Sequence, residues 1–398
     1  MSNIYWVSIA PWITSGYGQQ TATQTPLMAK EHKVRIGAIS GLQGTPQPWQ
    51  AEENGPTVEV WSMRDSLDFI EQYVQHEADF AITLFDLWAE GSEAPDMFKY
   101  IHQSPVKIAA WMPIDVSPLS KPDIYKLKEL EGIVTPIAMS RHGMRMLKDA
   151  GFQPIYVPHS IDTQVFEPAN QQEARRSLGL DTDDFIVGIN AFNAIRKSWF
   201  EQLSAFAQFH KRYPNSRLLI HSVEQRKAED SVSMPLLVDH LGLSDCVGFS
   251  DQFGYRQGLL SPRYLAKWYN AIDVLSVASM GEGFGLPYIE AQACGVPAIG
   301  TDTAAAPELV THSGWTVGGQ AYWSAYHNAE LVIPDIHYLA ETYEKAYLER
   351  KSLDRDRGVT KWQARQKSAR TFAERYDKKV VYDKFWRPAL ALLGTKNG

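Results

Sequence analysis

The sequence predicts an α/β protein of two Rossmann-like domains, and three observations lead there. The chain has 398 residues, 44% of them hydrophobic, more than one core usually holds. Short β-branched runs alternate with helix-length segments almost from the first residue, the rhythm of parallel strands buried on both faces. A polar stretch at 167–173 interrupts that rhythm, which then restarts.

The runs IYWVSIA (4–10), KVRIGAI (33–39), DFAITLF (79–85), VKIAAWM (106–112), GIVTPIAMS (132–140) and IYVP (155–158) give the strands expected of the first domain, 1–166. FIVGINA (185–191), RLLIHS (217–222), CVGFS (246–250), VLSVA (274–278) and PAIGTD (297–302) give those of the second, 167–376. The boundary is expected at 166–170, where Pro168, Ala169 and Asn170 break the pattern. From about 335 to 391 the chain reads as helices, closing on a stripe of Tyr382, Phe385, Trp386 and Leu390. That stripe needs a surface to cover; either domain could offer one, and the last helix, about 377–398, is a candidate to pack back on the first.

No run of about 18 apolar residues is present, and the start has neither a basic region nor a cleavage site of signal-peptide type. A cytoplasmic protein is expected. Cys246 and Cys294 lack any Cys-x-x-Cys spacing, which excludes a disulfide scaffold and argues against zinc. The net charge of −7 lies wholly in 1–166, with 12 Lys and Arg against 19 Asp and Glu. The only basic zone is 348–387, with 13 basic and 6 acidic residues, read as a solvated helical face. An anionic partner or peripheral membrane contact there stays open.

The segment VLSVASMGEGFGLPYIEAQACGVPAIGTD (274–302) is the most informative. A buried strand leads into Gly281, Gly283 and Gly285, and a helix begins near Leu286 with Pro287 in its first turn. Such a turn lets backbone N–H groups approach a phosphate. Glu282 lies in the loop and Glu290 one turn into the helix, tilted back toward it. Carboxylates accept from hydroxyls, which suits a sugar or ribose. In NAFNAIRKSWFEQLSAF (190–206), Arg196 and Lys197 stand at another strand-to-helix junction, where a cationic pair can clamp a diphosphate.

The first of these segments resembles the family 4 retaining glycosyltransferases of the GT-B fold. Glu282, Gly283, Phe284, Gly285, Leu286, Pro287, Glu290, Ala291, Ala293, Gly295 and Pro297 match the family's E-G-F-G-L-P-x-x-E-A-x-A-x-G-x-P element. The resemblance implies two Rossmann-like domains with sheets facing across a cleft. It places Glu282 against the transferred sugar, the amides of Gly283 to Leu286 beside it, and Glu290 on the ribose. Arg196 and Lys197 match the family's Arg-Lys-Gly, with Ser198 in place of glycine. A further upstream arginine of many members is absent, with Asn190 or Asn193 nearby. Base contacts are expected near Val247 to Ser250. The loop with Gly16 and Gly18 is placed beside the phosphates and acceptor. Asp115, after AAWMPID (109–115), is the candidate for orienting the acceptor, with helix capping as its other role. VPHSIDTQVF (157–166) looks like the family's inter-domain connection, with His159 and Ser160 in place of Asn-Gly. His159 is read as a packed histidine.

The expected catalytic set is Asp115, Glu282, Arg196 and Lys197. The implied function is retaining transfer of a hexosyl group, glucose by family frequency, from UDP-glucose to a hydroxyl. No permanently bound cofactor or metal is expected, and the strings Asp181-Thr182-Asp183 and Asp354-Arg355-Asp356 are read as solvent-facing. The acceptor is left open among a glycan, a small metabolite and a modified DNA base. A sugar-nucleotide epimerase, a glycosidase and a non-catalytic sugar-nucleotide binder are the rivals.

Overall fold

The computed structural model describes residues 1–86, 100–310, 312–352 and 360–395. Its contacts divide the chain into two units, Met1–Ile161 with Ser324–Ala329 and Tyr376–Gly398, and Asp162–Trp323 with Glu330–Arg375. The division falls five residues before the expected 166, because the Phe166 ring packs against Tyr269 of the second unit at 6.1 Å.

Unit 1 holds β1 (Asn3–Ile9), β2 (Lys33–Ser40), β3 (Gln47–Gln50), β4 (Thr57–Ser62), β5 (Phe80–Leu84), β6 (Ile108–Met112), β7 (Val134–Ala138) and β8 (Ile155–Tyr156). They form one sheet in the order β3-β4-β2-β1-β5-β6-β7-β8. All pairings are parallel except β3 with β4. Central β5 and β6 are buried throughout, as a sheet covered on both faces requires. The sequence reading lacked β3 and β4, which lie at the edge and are half exposed, so their residues form no apolar run. The C-terminal stripe covers this unit: Trp386 is fully buried and meets Trp111 at 5.0 Å and Trp6 at 5.9 Å. Tyr382 and Leu390 are buried with it, and Phe385 stands edge-on to Tyr156.

Unit 2 holds β9 (Phe185–Asn190), β10 (Ser216–His221), β11 (Val247–Phe249), β12 (Val274–Val277), β13 (Ala298–Thr301), β14 (Trp315–Val317), β15 (Gly319–Ser324) and β16 (Ala329–Pro334). The first six form a parallel sheet in the order β11-β10-β9-β12-β13-β14, and β15 and β16 pair separately. The helices Trp199–Arg212 and Ile336–Lys351 pack together on this sheet, with Phe209 against Tyr343 and Phe185 against Tyr347.

A buried ion pair, not visible in the sequence, ties the amino edge of unit 2. Arg175 and Asp273 side chains are both fully buried and 2.7 Å apart. Arg175 also donates to the carbonyls of Ala271, Thr182 and Asp184, while Asp273 accepts from the Ile186 amide and Arg350.

Two buried histidines give the fold a pH dependence. His159 in unit 1 sits 4.5 Å edge-on to Trp111, and burial pushes its pKa down to about 3. His221 in unit 2 is pushed down to about 4 by the same cause. Both are therefore neutral in the fold but take up a proton in the unfolded chain below pH 6.5. Stability falls as pH drops through that value and keeps falling until the folded values are reached. At pH 5 each histidine is expected to cost about 2 kcal/mol. Urea midpoints at pH 7 and pH 5 check this, and His159→Gln or His221→Asn flattens the difference.

Candidate functional site

In the sheet of unit 2, β9 and β12 are neighbours, with β10 and β11 to one side and β13 and β14 to the other. The chain thus leaves adjacent strands in opposite directions, and ligands of open α/β sheets bind outside the carboxyl ends at such a point. The two motif segments are the loops that leave β9 and β12 there.

After β9 the chain makes a short 3-10 turn, Ile195–Lys197, and enters the helix Trp199–Arg212 through Ser198, whose φ is 52° and ψ 44°. This is the left-handed region, costly for a residue with a Cβ. It explains why the resembled family carries glycine there. The Ser198 hydroxyl is also buried and finds no hydrogen-bond partner among the described residues. Ser198→Gly removes both costs, and its expected effect is about 1 kcal/mol of stabilisation, read by calorimetry as a Tm rise of about 2–4 °C.

After β12 the backbone passes Met280, whose N–H donates to the Arg196 carbonyl at 2.9 Å, so the two loops are joined through their main chains. Strand β16 supports the same residue, since Val332 N–H donates to the Met280 carbonyl at 2.9 Å. Gly285 takes φ +93° to enter the helix Leu286–Ala293, and a Cβ there would stand 2.6 Å from the Tyr288 ring. Arg196 donates to the Gly281 carbonyl and lies 3.9 Å from Glu282 Oε2. Lys197 Nζ is 2.6 Å from Glu282 Oε1. Burial pushes the Glu282 pKa up, but Lys197 and Arg196 outweigh it and hold the carboxyl below its ordinary range. Two cations and one carboxylate therefore converge where a diphosphate and a hydroxyl-bearing ring could be held together.

Glu290 is buried one turn into the helix, and its Oε2 accepts from the Tyr269 hydroxyl at 2.7 Å. Burial and the Glu290 charge keep the Tyr269 proton in place well above the ordinary phenol range.

Three of the expected donor contacts have a local structural setting of their own. The Asn193 side chain is engaged elsewhere: its Nδ2 donates to the carbonyls of Val223 at 3.0 Å and Val232 at 2.8 Å, and its Oδ1 accepts from Val232 N–H. Both amide protons are engaged in pinning the loop after β9 to residues 223–232, so none is left for a phosphate. Val247 starts β11, at the end of the strand away from the carboxyl edge, and its N–H bonds the Leu243 carbonyl. Gly16 and Gly18 lie in the first turn of the helix Gly16–Met28 rather than in a loop, and the Gly18 N–H donates to the Ser15 hydroxyl that caps it. A Cβ at Gly18 would stand 2.3 Å from the Ile13 carbonyl oxygen, so glycine there serves a close approach inside unit 1.

The other candidates fall as follows. Ser250 lies at the carboxyl edge, with its hydroxyl 2.8 Å from His221 Nδ1. Gly283 and Phe284 lie in the loop, and Phe284 and Leu286 are buried. Asp115 is buried just past the carboxyl end of β6. It does not cap the following helix, Lys121–Glu129, since Ser120 does. Asn190 donates to the Tyr269 hydroxyl at 2.7 Å.

Many cations of the basic 348–387 segment are paired internally. Arg365 forks onto Glu349, Arg370 reaches Glu374 and the carbonyls of Phe166 and Ala293, and Arg387 meets Glu31 and Asp383. Asp181 and Asp183 are exposed and shape a turn, with Asp181 accepting from Asp183 N–H. Asp354 and Asp356 lie outside the described residues. Among the described residues, no group of three His, Cys, Asp or Glu is placed to hold a metal ion, and no helix is long and apolar enough to cross a membrane.

Residues 190–341 match the family model of glycosyl transferases group 1. Over 154 residues the chain is 30% identical to a D-inositol 3-phosphate glycosyltransferase of Segniliparus rotundus, covering 39% of this chain and 33% of that one. A protein of the same name from Kribbella flavida is 31% identical over 38% of this chain and 36% of its own. The chain thus spans about a third of the length of the curated relatives it matches. Among solved structures, a sucrose-phosphate synthase from Thermosynechococcus elongatus superposes with a TM-score of 0.74 at 17% identity, covering 99% of this chain and 100% of that one. Anabaena HepE in complex with UDP-glucose gives 0.71 at 14% identity, over 98% and 100%. These likenesses match the two parallel-sheet units to the GT-B fold. Residues 190–341 thus carry the match to group 1 glycosyl transferases, and the GT-B fold extends over the chain.

Proposed function

We propose that the chain is a retaining hexosyltransferase that takes glucose from UDP-glucose and delivers it to a hydroxyl acceptor, without a resident cofactor or metal. The observation that carries this reading is the Arg196–Lys197–Glu282 cluster at the point where β9 and β12 diverge. Arg196, Lys197 and the amides of Gly283 to Leu286 stabilise the departing diphosphate. Charge stabilisation aimed at a leaving group is the largest single contribution such a site can make. Glu282, held ionised by its two cations, accepts from a hydroxyl of the transferred sugar, and Glu290 accepts from the ribose. Ser250 lies on the base side. Asp115, at the carboxyl end of the other sheet, is assigned to orienting the acceptor hydroxyl.

UDP-glucose is the nucleotide sugar named with Anabaena HepE, which supports the choice of donor. The names of the curated relatives make a small phosphorylated metabolite the first acceptor to test, ahead of a glycan or a modified DNA base. Purified protein incubated with a panel of nucleotide sugars and candidate acceptors, with products read by mass spectrometry and the anomeric configuration by NMR, tests the reading. An α-linked glucoside from UDP-α-glucose is expected. An inverted product, or donor isomerised without transfer, contradicts it.

A further inference from the structure

We propose that Tyr269 is a positioning residue for Glu290 and thereby sets recognition of the donor's ribose, an inference that rests on the donor reading above. Three side chains form a relay beneath the site. Asn190 Nδ2 lies 2.7 Å from the Tyr269 hydroxyl, which lies 2.7 Å from Glu290 Oε2. The direction is fixed by chemistry: an amide nitrogen only donates and a carboxylate only accepts, so the single hydroxyl proton points to Glu290.

Each member stands on a different element. Asn190 ends β9, whose next residues lead to Arg196 and Lys197. Glu290 lies on the helix that follows the glycine loop, and Tyr269 lies on the helix Pro262–Ala271 that leads into β12. The relay therefore fixes the acidic group of one junction against the strand end of the other. The Tyr269 ring is fully buried, edge-on to Trp268 at 5.3 Å and to Phe166 at 6.1 Å. A rigid donor on one carboxylate oxygen orients the whole group, and a pair of neighbouring hydroxyls is a ligand that reads such an orientation. Positioning of this kind governs affinity even where the residue never touches the ligand.

Calorimetric dissociation constants of the full chain for UDP and for 2′,3′-dideoxy-UDP test the proposal. Tyr269→Phe is expected to weaken UDP about 10-fold or more and dideoxy-UDP by less than about 2-fold, because the lost bond acts only through the ribose hydroxyls. Equal weakening of both nucleotides, as a purely structural tyrosine would give, overturns the proposal, and so does no weakening of either. If Tyr269→Phe does not fold, Asn190→Ala at the far end of the relay carries the same comparison, with the same selective pattern expected and the same overturning result. Glu290→Gln separates the two levels. Failure of that variant to discriminate the nucleotides removes the ribose assignment itself, whereas discrimination by Glu290→Gln without any by Tyr269→Phe overturns only the relay.

Discussion

Lys197→Ala is expected to lower the proposed glucosyl transfer about a hundred- to a thousandfold while unit 2 stays folded, because on that reading it removes one charged donor from a site that stabilises a leaving anion. The amine sits 2.6 Å from Glu282 Oε1, and the backbone joint between Met280 and Arg196 does not depend on it. The substitution acts twice. It withdraws a cation from the diphosphate, and it leaves the buried Glu282 carboxylate with Arg196, whose guanidinium is 3.9 Å away, as its nearest ion-pair partner. The Glu282 pKa then rises, since burial is its largest influence and Lys197 its largest counterweight. The remaining activity should accordingly fall off at higher pH than in the wild type as pH is lowered. Initial rates at saturating donor across pH, with circular dichroism as the folding control, check both parts. Lys197→Arg keeps the charge and is expected to lose less.

The largest effect on stability is expected from Arg175→Met. The guanidinium is fully buried and donates at 2.7–2.8 Å to Asp273 and to the carbonyls of Ala271, Thr182 and Asp184. A methionine of similar length fills the space but leaves three carbonyls without that partner and removes a cation from a buried carboxylate. Breaking such a pair from one side costs about 3–5 kcal/mol, or a Tm lower by about 10 °C for a unit of this size. Arg350 at 2.7 Å remains on Asp273 and keeps the loss from being larger. The network ties the start of β9, at Ile186, to the residue before β12, at the sheet edge opposite the site. Turnover per folded molecule should therefore change little at low temperature, which thermal melts and active-site titration together would show.

What the sequence made legible follows from where the signal is local. β9 and β12 are continuous apolar runs and read directly, whereas β3, β4 and β15 mix exposed polar and aromatic residues and carry no such run. Glu282 and Glu290 were readable because one glycine turn and one helical turn fix their spacing. The role of Asn193 was not, since its partners Val223 and Val232 lie 30 and 39 residues further on. Arg175 and Asp273, 98 residues apart, were hidden for the same reason. Tyr269 offered a faint sign, as a tyrosine among buried positions needs a partner for its hydroxyl, but nothing local says that the partner is Glu290. The strained backbone at Ser198 was announced only by the glycine of the resembled family. The pairing inside the basic zone was not legible, since its arginines cluster in sequence while several close ion pairs within the fold.

The central claim is that Arg196, Lys197, Glu282 and Glu290 serve one nucleotide sugar, and a crystal structure of the chain soaked with UDP tests it most directly. Diphosphate oxygens within about 3 Å of Arg196 and Lys197, with the ribose hydroxyls on Glu290, are the expected result. A nucleotide bound elsewhere, or one at this edge whose phosphates leave Lys197 closed on Glu282 and touch neither cation, would contradict it.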